Sequence, residues 1–157
     1  YIQTHIFKPL NMHNSGYGDA KVVGYKSNVP QKLVNMHIPY AAGSLTSSVS
    51  DFHLWDQSFY ELTLIDDNSL KEIYPKNRNA LGAGFGTGKF KVVMGLGWGI
   101  YETDFGPEYS HAGNVDGFST IVSRYPSQKA MIVILSNQDG FDVYALKNRV
   151  ADFILKK

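Results

Sequence analysis

The sequence predicts an α+β fold, an antiparallel sheet with a C-terminal helix packed on it plus helical and loop segments. In the last third, four strand-like runs follow one another, linked by turn signals such as Asp116-Gly117. Links this short make neighbouring strands antiparallel. After Asp139-Gly140 an amphipathic pattern predicts a helix lying across the sheet. The predicted strands are Met94 to Tyr101, Tyr109 to Gly113, Phe118 to Tyr125 and Met131 to Leu135, and the predicted helix stripe is Val143, Leu146, Val150 and Phe153.

The first part of the chain has weaker periodicity and is predicted to consist of loops and short helices. An opening helix ends before Pro9, since proline disfavours a helical residue ahead of it. The stretch from Asn11 to Tyr40 is rich in Gly, Asn, Pro and Tyr, which indicates an ordered loop with short strands around Val22 to Tyr25.

Two further helices are predicted from their capping signals. Ser48 is suited to cap a helix whose apolar stripe is Phe52, Trp55, Phe59 and Leu62, with Asp51 favoured in its first turn by the helix dipole. Ser69 and Glu72 match a capping box for a shorter helix that reaches Tyr74 and stops at Pro75.

Composition indicates one domain, residues 1–157, with a loop and helical part over 1–91 and the strands and last helix over 92–157. The formal net charge of +1 gives no electrostatic footprint for nucleic acid, so none is expected as a partner. The chain has no cysteine, which excludes thiolate catalysis and thiol-ligated zinc. The longest apolar run, Met131 to Leu135, is far below the roughly 20 residues of a membrane-spanning helix.

Three other site types are considered and set aside. The glycine-rich run Gly82 to Lys89 lacks the Walker spacing, because Ala83 replaces its first glycine and Phe90 its hydroxyl residue. The five histidines show no metal-ligand spacing, so neither a metal nor any other cofactor is expected. The run Asp66-Asp67-Asn68 is better explained as a helix cap than as a calcium loop.

The most informative segment is His111-Ala112-Gly113, which precedes the Asp116-Gly117 turn. Taken alone, a single histidine is usually a surface or hydrogen-bonded residue. Its context changes that interpretation, because it is one of a series of motifs that follow one another along the chain. They are Pro9-Leu10-Asn11-Met12, Ser15-Gly16-Tyr17, Gly24-Tyr25, Ala41 to Leu45, Ser47-Ser48, Asp51-Phe52, Gly95-Leu96-Gly97-Trp98, His111-x-Gly113, Gly117-Phe118 and Leu135-Ser136-Asn137. In these motifs and in their order, the chain resembles the serine β-lactamase-related family.

The resemblance implies a partial β-lactamase/transpeptidase-like fold and a serine hydrolase activity on β-lactams, D-amino-acid peptides or esters. By the same resemblance, His111 orients a catalytic tyrosine or faces a substrate carboxylate, and the backbone N–H of Asn114 is an oxyanion donor. Gly113 and Ala112 border the substrate, and Ala112 lacks the hydroxyl of the family's commoner Thr, which lowers the expectation of β-lactam turnover relative to ester or peptide hydrolysis. Asn11 and Ser44 stand where glycine is usual, and Ser44 is strained if its φ is positive.

The family's Ser-x-x-Lys and Tyr-x-Asn motifs are both absent from the 157 residues. One interpretation is that the chain is the C-terminal part of an acyl hydrolase, inactive alone, with the missing N-terminal half as its partner and a small acyl compound as its substrate. The other is a non-catalytic binding or interaction module that keeps the family fold. Family members place an N-terminal strand beside the strand Met131 to Leu135, so a homodimer through that open sheet edge is also expected. The resemblance suggests a cell-envelope or extracytoplasmic location.

Overall fold

The computed structural model describes residues 1–18, 21–32, 35–74 and 93–156. Its centre is a five-stranded antiparallel sheet whose strands are adjacent in chain order. The predictions for Gly82 to Lys89, and for the stop at Pro75, lie outside the described residues. The strands are β5 (Val93–Met94), β6 (Gly99–Thr103), β7 (Gly106–Val115), β8 (Phe118–Tyr125) and β9 (Ala130–Ser136).

Three of the four predicted strands are confirmed, β8 with the predicted bounds and β7 and β9 as longer strands. The continuous strand from Met94 to Tyr101 is wrong. Gly95 donates its backbone N–H to the carbonyl of Trp98 at 2.8 Å, and Gly97 takes a φ of 76°, which folds this run into the β5–β6 hairpin. The residues on both sides of the turn are apolar and favour strands, so strand propensity alone predicts one continuous strand here.

Three α-helices accompany the sheet in the ranges that the structure describes. They are α1 (Val49–Glu61), α2 (Asp67–Ile73) and α3 (Val143–Leu155). Arg124 of β8 contacts Asp56 of α1, whereas Glu108 of β7 contacts Lys147 of α3. Arg124 is paired with Tyr109, and successive residues of a strand point to opposite faces, so Arg124 and Glu108 lie on different faces of the sheet. The helices α1 and α3 therefore cover opposite faces.

Helix α1 begins where the sequence predicts, since the Ser48 hydroxyl accepts a hydrogen bond from the backbone N–H of Asp51. Its predicted apolar stripe is partly wrong. Phe59 is buried, but Leu62 takes a left-handed conformation at the C-cap and is 41% exposed. Polar residues are buried on this helix instead, because each finds a partner. They are Asp51, Asp56 and Ser58.

Helix α2 starts two residues earlier than predicted. The carboxylate of Asp66 accepts the backbone N–H of Ser69 at 2.7 Å, so Asp66 is the N-cap and the proposed capping box is wrong. The assignment of Asp66-Asp67-Asn68 to a helix start rather than to a cation loop agrees with this geometry.

The C-terminal helix is confirmed, and its predicted stripe is partly confirmed, since Val143 is buried and Val150 packs against the core. Val143, Lys147 and Ala151 face the sheet, while Phe153 is 88% exposed. Apolar periodicity does not predict that Lys147 is buried at the centre of this stripe, because its burial depends on the ion pair of its ammonium with Glu108.

The first 46 residues contain a π-helical turn, Gln3–Phe7, and four two-residue strands: β1 (Gly16–Tyr17), β2 (Tyr25–Lys26), β3 (Val29–Pro30) and β4 (Leu45–Thr46). β1 pairs with β4, and β2 with β3. The opening turn buries Phe7 with Leu10 and Met12 against Trp55 of α1. Asn11 and Ser44 both have positive φ, 56° and 67°, so the strain expected for Ser44 is present.

Candidate functional site

The segment His111 to Asn114 lies in the second half of β7, and the structure places its side chains on two faces. His111 and Gly113 are on the face that carries α1, and both are exposed. Ala112 and Asn114 alternate onto the face that carries α3, where Ala112 is half-buried and Asn114 exposed. The four predicted site residues are therefore consecutive along one strand, but their side chains point to two opposite faces of the sheet and do not meet.

These four residues share one feature, which is that they lie on a stretch of β7 whose backbone is paired on one side. β6 pairs with β7 only as far as the Gly99–Ser110 pair, whereas β8 pairs with β7 up to Val115. Within the described residues no strand lies on the β6 side of residues 111–115. This stretch, called the open edge below, is a strand with one free side.

The direction of each backbone group on the open edge follows from the hairpin turn. The two-residue turn Asp116-Gly117 makes Val115 and Phe118 the closing hydrogen-bonded pair. Hydrogen-bonded pairs alternate along an antiparallel ladder, so Gly113 and His111 also bond to β8. The N–H and C=O groups of Ala112 and Asn114 consequently point away from β8, into the free side. The N–H of Asn114 therefore points into the free side of the strand, away from β8.

Gly113 permits close packing on this strand. A Cβ added there would lie 2.7 Å from the Thr120 hydroxyl oxygen, which instead donates a hydrogen bond to the Gly113 carbonyl at 3.2 Å. A side chain at Gly113 would therefore displace the Thr120 hydroxyl from this hydrogen bond.

Beside His111, on the same face, lies an aromatic cluster that sequence reasoning missed. Tyr109, two residues before His111, contacts Tyr74 in a tilted pair with ring centroids 4.0 Å apart, and Trp98 stacks on Trp55 at 5.6 Å. Burial raises the pKa of Tyr74, an effect that the nearby Arg124 charge opposes, and burial also raises that of Tyr109. Both phenols therefore stay protonated at neutral pH.

The cluster is built around Arg124, which is 1% exposed. Its guanidinium donates to the Asp56 carboxylate at 2.5 Å and to the Tyr74 hydroxyl at 3.0 Å, and it lies 4.1 Å from the centre of the Phe59 ring. One buried cation therefore ties α1, the end of α2 and β8 together behind the open edge. No spacing rule predicts this, because the partners come from three separate elements.

The opposite face holds a second buried ion pair. Lys147 of α3 donates to both carboxylate oxygens of Glu108 at 2.8 Å. Burial, and then Glu108, raise the pKa of the neighbouring Tyr125 phenol well above its ordinary value. This pair attaches α3 to the sheet and lies on the face opposite to His111.

Two open depressions on the described part of the chain lie away from His111, one lined by Phe105 and Leu155 and the other by Leu146 and Phe153. Among the residues described, no cluster of three acidic or histidine side chains is arranged to hold a metal ion. None of the helices in those ranges is both long and apolar enough to cross a membrane.

A family model described as Beta-lactamase matches residues 1–156. The chain belongs to the beta-lactamase family. The chain is 28% identical, over 163 aligned residues, to a curated relative named as the penicillin-binding protein PbpX of Bacillus subtilis (strain 168). The match covers 96% of this beta-lactamase-family chain and 37% of that relative, so the chain spans little more than a third of its length.

Solved structures show the same fold. The octameric penicillin-binding protein homologue from Pyrococcus abyssi superposes with a TM-score of 0.77 at 22% identity, covering 100% of this chain and 37% of that one. The D-amino acid amidase from Ochrobactrum anthropi SV3 gives 0.78 at 19%, covering 98% and 50%, and a D-stereospecific amidohydrolase from Streptomyces sp. gives 0.76 at 16%, covering 99% and 48%. This beta-lactamase-family chain therefore has the penicillin-binding-protein-like hydrolase fold.

Proposed function

We propose that this chain is the C-terminal part of a serine acyl hydrolase that acts, in the complete protein, on a β-lactam, a D-amino-acid peptide or an ester through an acyl-enzyme. Acylation divides one difficult displacement into two easier ones. The observation that carries the proposal is the open edge of β7, which presents free backbone groups of Ala112 and Asn114 beside exposed His111. An extended acyl substrate pairs with such an edge through main-chain hydrogen bonds.

In this proposal each residue of the open edge has a separate role. The Asn114 N–H stabilises the oxyanion of the tetrahedral intermediate, and losing such a donor typically costs about 3 kcal/mol of transition-state stabilisation. His111 orients the proton-transferring tyrosine or faces a substrate carboxylate. Gly113 has no side chain, so the substrate can approach the strand closely there. The methyl group of Ala112 favours ester or peptide substrates over β-lactams.

The nucleophile and its bases are proposed to come from the missing N-terminal half of the same protein. The chain itself contains neither Ser-x-x-Lys nor Tyr-x-Asn. The names of two of the similar structures, a D-amino acid amidase and a D-stereospecific amidohydrolase, support acyl transfer at an amide as the chemistry of the fold. The isolated chain is accordingly proposed to be inactive.

The same absence of Ser-x-x-Lys favours a second candidate, a non-catalytic binding module. In that case the open edge binds an extended ligand without covalent chemistry. The two candidates share the binding surface and differ in whether a nucleophile stands opposite it.

Intact-mass measurement with a β-lactam and an activated ester separates them. We expect no covalent adduct on the isolated chain, and a stoichiometric adduct on the complete protein at a serine outside residues 1–157. An adduct on a serine of this chain would overturn the proposal that the nucleophile lies outside residues 1–157. The absence of an adduct on the complete protein would favour the binding module. In the complete protein, His111→Ala should lower kcat/KM by about ten- to a thousandfold, and an unchanged value would remove His111 from the site.

A further inference from the structure

Three separated motifs converge at the tip of the β7–β8 hairpin, which is the end of the open edge. The backbone N–H of Tyr25 donates to the carbonyls of Gly117 and Asn137, at 3.3 and 2.9 Å. The carbonyl of Tyr25 accepts the N–H of Asp139 at 2.7 Å, and the Asn137 side chain donates to the carbonyl of Val23 at 2.9 Å. These contacts bind the hairpin tip to the segment that follows β9.

Two glycines make this convergence possible, and we call the whole arrangement the glycine clasp: Gly24, Tyr25, Gly117, Asn137 and Asp139. A Cβ added at Gly24 would lie 2.8 Å from the Gly117 Cα and 2.6 Å from the Phe118 ring. Gly117 also requires a left-handed φ of 87° for the turn. The two backbones are therefore packed closer than any side chain allows.

The segment that contacts the tip is itself a hydrogen-bonded hairpin, formed by β2 and β3. The N–H of Gln31 donates to the carbonyl of Gly24 at 2.8 Å and closes β2 against β3, and Ser27 and Asn28 both take left-handed φ values in the turn. The Lys26 ammonium lies 3.0 Å from the Asp139 carboxylate, on the same side as the Tyr25–Asp139 hydrogen bond. The clasp therefore holds the hairpin tip against an ordered element.

The open edge has a mechanical need for such a clasp. Among the residues that the structure describes, 111–115 are paired with β8 only, so their position depends on β8 and on the turn that joins the two strands. Asn114 is three residues from Gly117, and a shift of the tip moves its N–H directly. Misplacement of a catalytic group by about 1 Å can cost about a hundredfold in rate.

We propose that the glycine clasp positions the open edge for acyl transfer, so that Gly24, Gly117 and Asn137 are positioning residues for the Asn114 N–H. This rests on the proposed function for its catalytic part. Its structural part, that the clasp restrains the hairpin tip, stands independently and is tested separately.

The structural test is amide hydrogen exchange on this chain. Gly24→Ala acts as a wedge, since its added Cβ has no room, and Asn137→Ala removes only the bond to Val23. Gly16→Ala is the matched control, because a Cβ there meets only the Thr46 hydroxyl at an ordinary 3.6 Å. We expect exchange at Gly113, Val115 and Phe118 to rise about two- to tenfold in Asn137→Ala, the loss of one hydrogen bond, and further in Gly24→Ala, with α3 unchanged.

Unchanged exchange at the tip in both variants, or an equal rise in α3, would overturn the clasp as a local restraint. The catalytic test uses the complete protein. There Gly24→Ala should lower kcat about ten- to a hundredfold with KM nearly constant, while Gly16→Ala leaves both unchanged. A raised tip exchange with unaltered kcat would overturn the positioning role. A complete protein without acyl transfer would contradict the proposed function, whereas the exchange results would still judge the clasp.

Discussion

Replacing Asp56 with asparagine tests whether the buried cation Arg124 depends on its carboxylate partner. Arg124 is 1% exposed and Asp56 3% exposed, so neither group has bulk water to replace the other. Removing one partner of a buried ion pair typically costs about 3–5 kcal/mol, because the remaining charge stays buried without compensation. The Tyr74 hydroxyl and the Phe59 ring hold the guanidinium in place, which prevents it from turning out to solvent.

The expected loss is a large part of the total stability of a single domain, which is about 5–15 kcal/mol. For a chain of this size it corresponds to a fall in Tm of roughly 6–20 °C. Urea unfolding followed by tryptophan fluorescence measures it directly, because Trp55 and Trp98 both belong to the aromatic cluster. The slope of the unfolding free energy against urea should stay constant if only stability changes.

The matched control is Asp67→Asn, which breaks the exposed pair between Asp67 and Lys71 of α2. An exposed pair contributes about 0–1 kcal/mol, so this variant should unfold nearly as the unmodified chain does. A loss below about 1 kcal/mol in Asp56→Asn, equal to the control, would refute the argument that the carboxylate compensates a buried charge. Changing both partners, Asp56→Asn with Arg124→Met, should recover stability relative to Asp56→Asn alone.

Two further predictions concern acid stability and the sheet edge. Burial acts to raise the pKa of Asp51, but hydrogen bonds from Ser15 and Asn14 outweigh it and hold that pKa below its ordinary value. The unfolded chain therefore binds the proton more readily, so this stabilisation is present above the unfolded pKa of 3.8 and is lost as the pH falls through the lower pKa of the folded chain. Asp51→Asn should cost about 1.5–3 kcal/mol of unfolding free energy at pH 7 and should flatten the dependence of stability on pH below pH 5. Parallel urea unfolding curves for the two proteins at every pH would contradict this. For β9, we expect the isolated chain to form a dimer or larger assembly, checked by light scattering and by amide exchange over residues 131–135, and a monodisperse monomer with slow exchange there would contradict it.

Local turn chemistry accounts for the parts of the fold that the sequence predicts well. The Asp116-Gly117 turn sets the β7–β8 hairpin, and Ser48 sets the start of α1. The prediction fails where polar residues are buried with distant partners. Lys147 and Asp56 interrupt their apolar stripes, and each is compensated by a residue on another element, Glu108 or Arg124. Periodicity counts apolar side chains along one helix, so it cannot register a partner supplied by the sheet.

The candidate site shows the same division. The motif His111-x-Gly113 is visible in the sequence, but the free side of its strand is not, because that depends on β6 beginning only at Gly99. The glycine clasp was equally hidden, since its members Gly24, Gly117 and Asn137 are up to 113 residues apart along the chain and meet only in the folded sheet.

In the described part of the chain, the outer side of β9 and the open edge of β7 differ in a way that fits different occupants. β9 is apolar along its length and is packed by α1 and α3, so a strand added beside it would be held by the flanking helices as well as by the backbone. Such an edge favours a permanent partner. The open edge instead offers only the outward groups of Ala112 and Asn114, among exposed polar and glycine residues. It contributes little apolar area to hold a strand, so a ligand bound there would be held by a few directed hydrogen bonds, which suits the repeated turnover proposed for an acyl substrate.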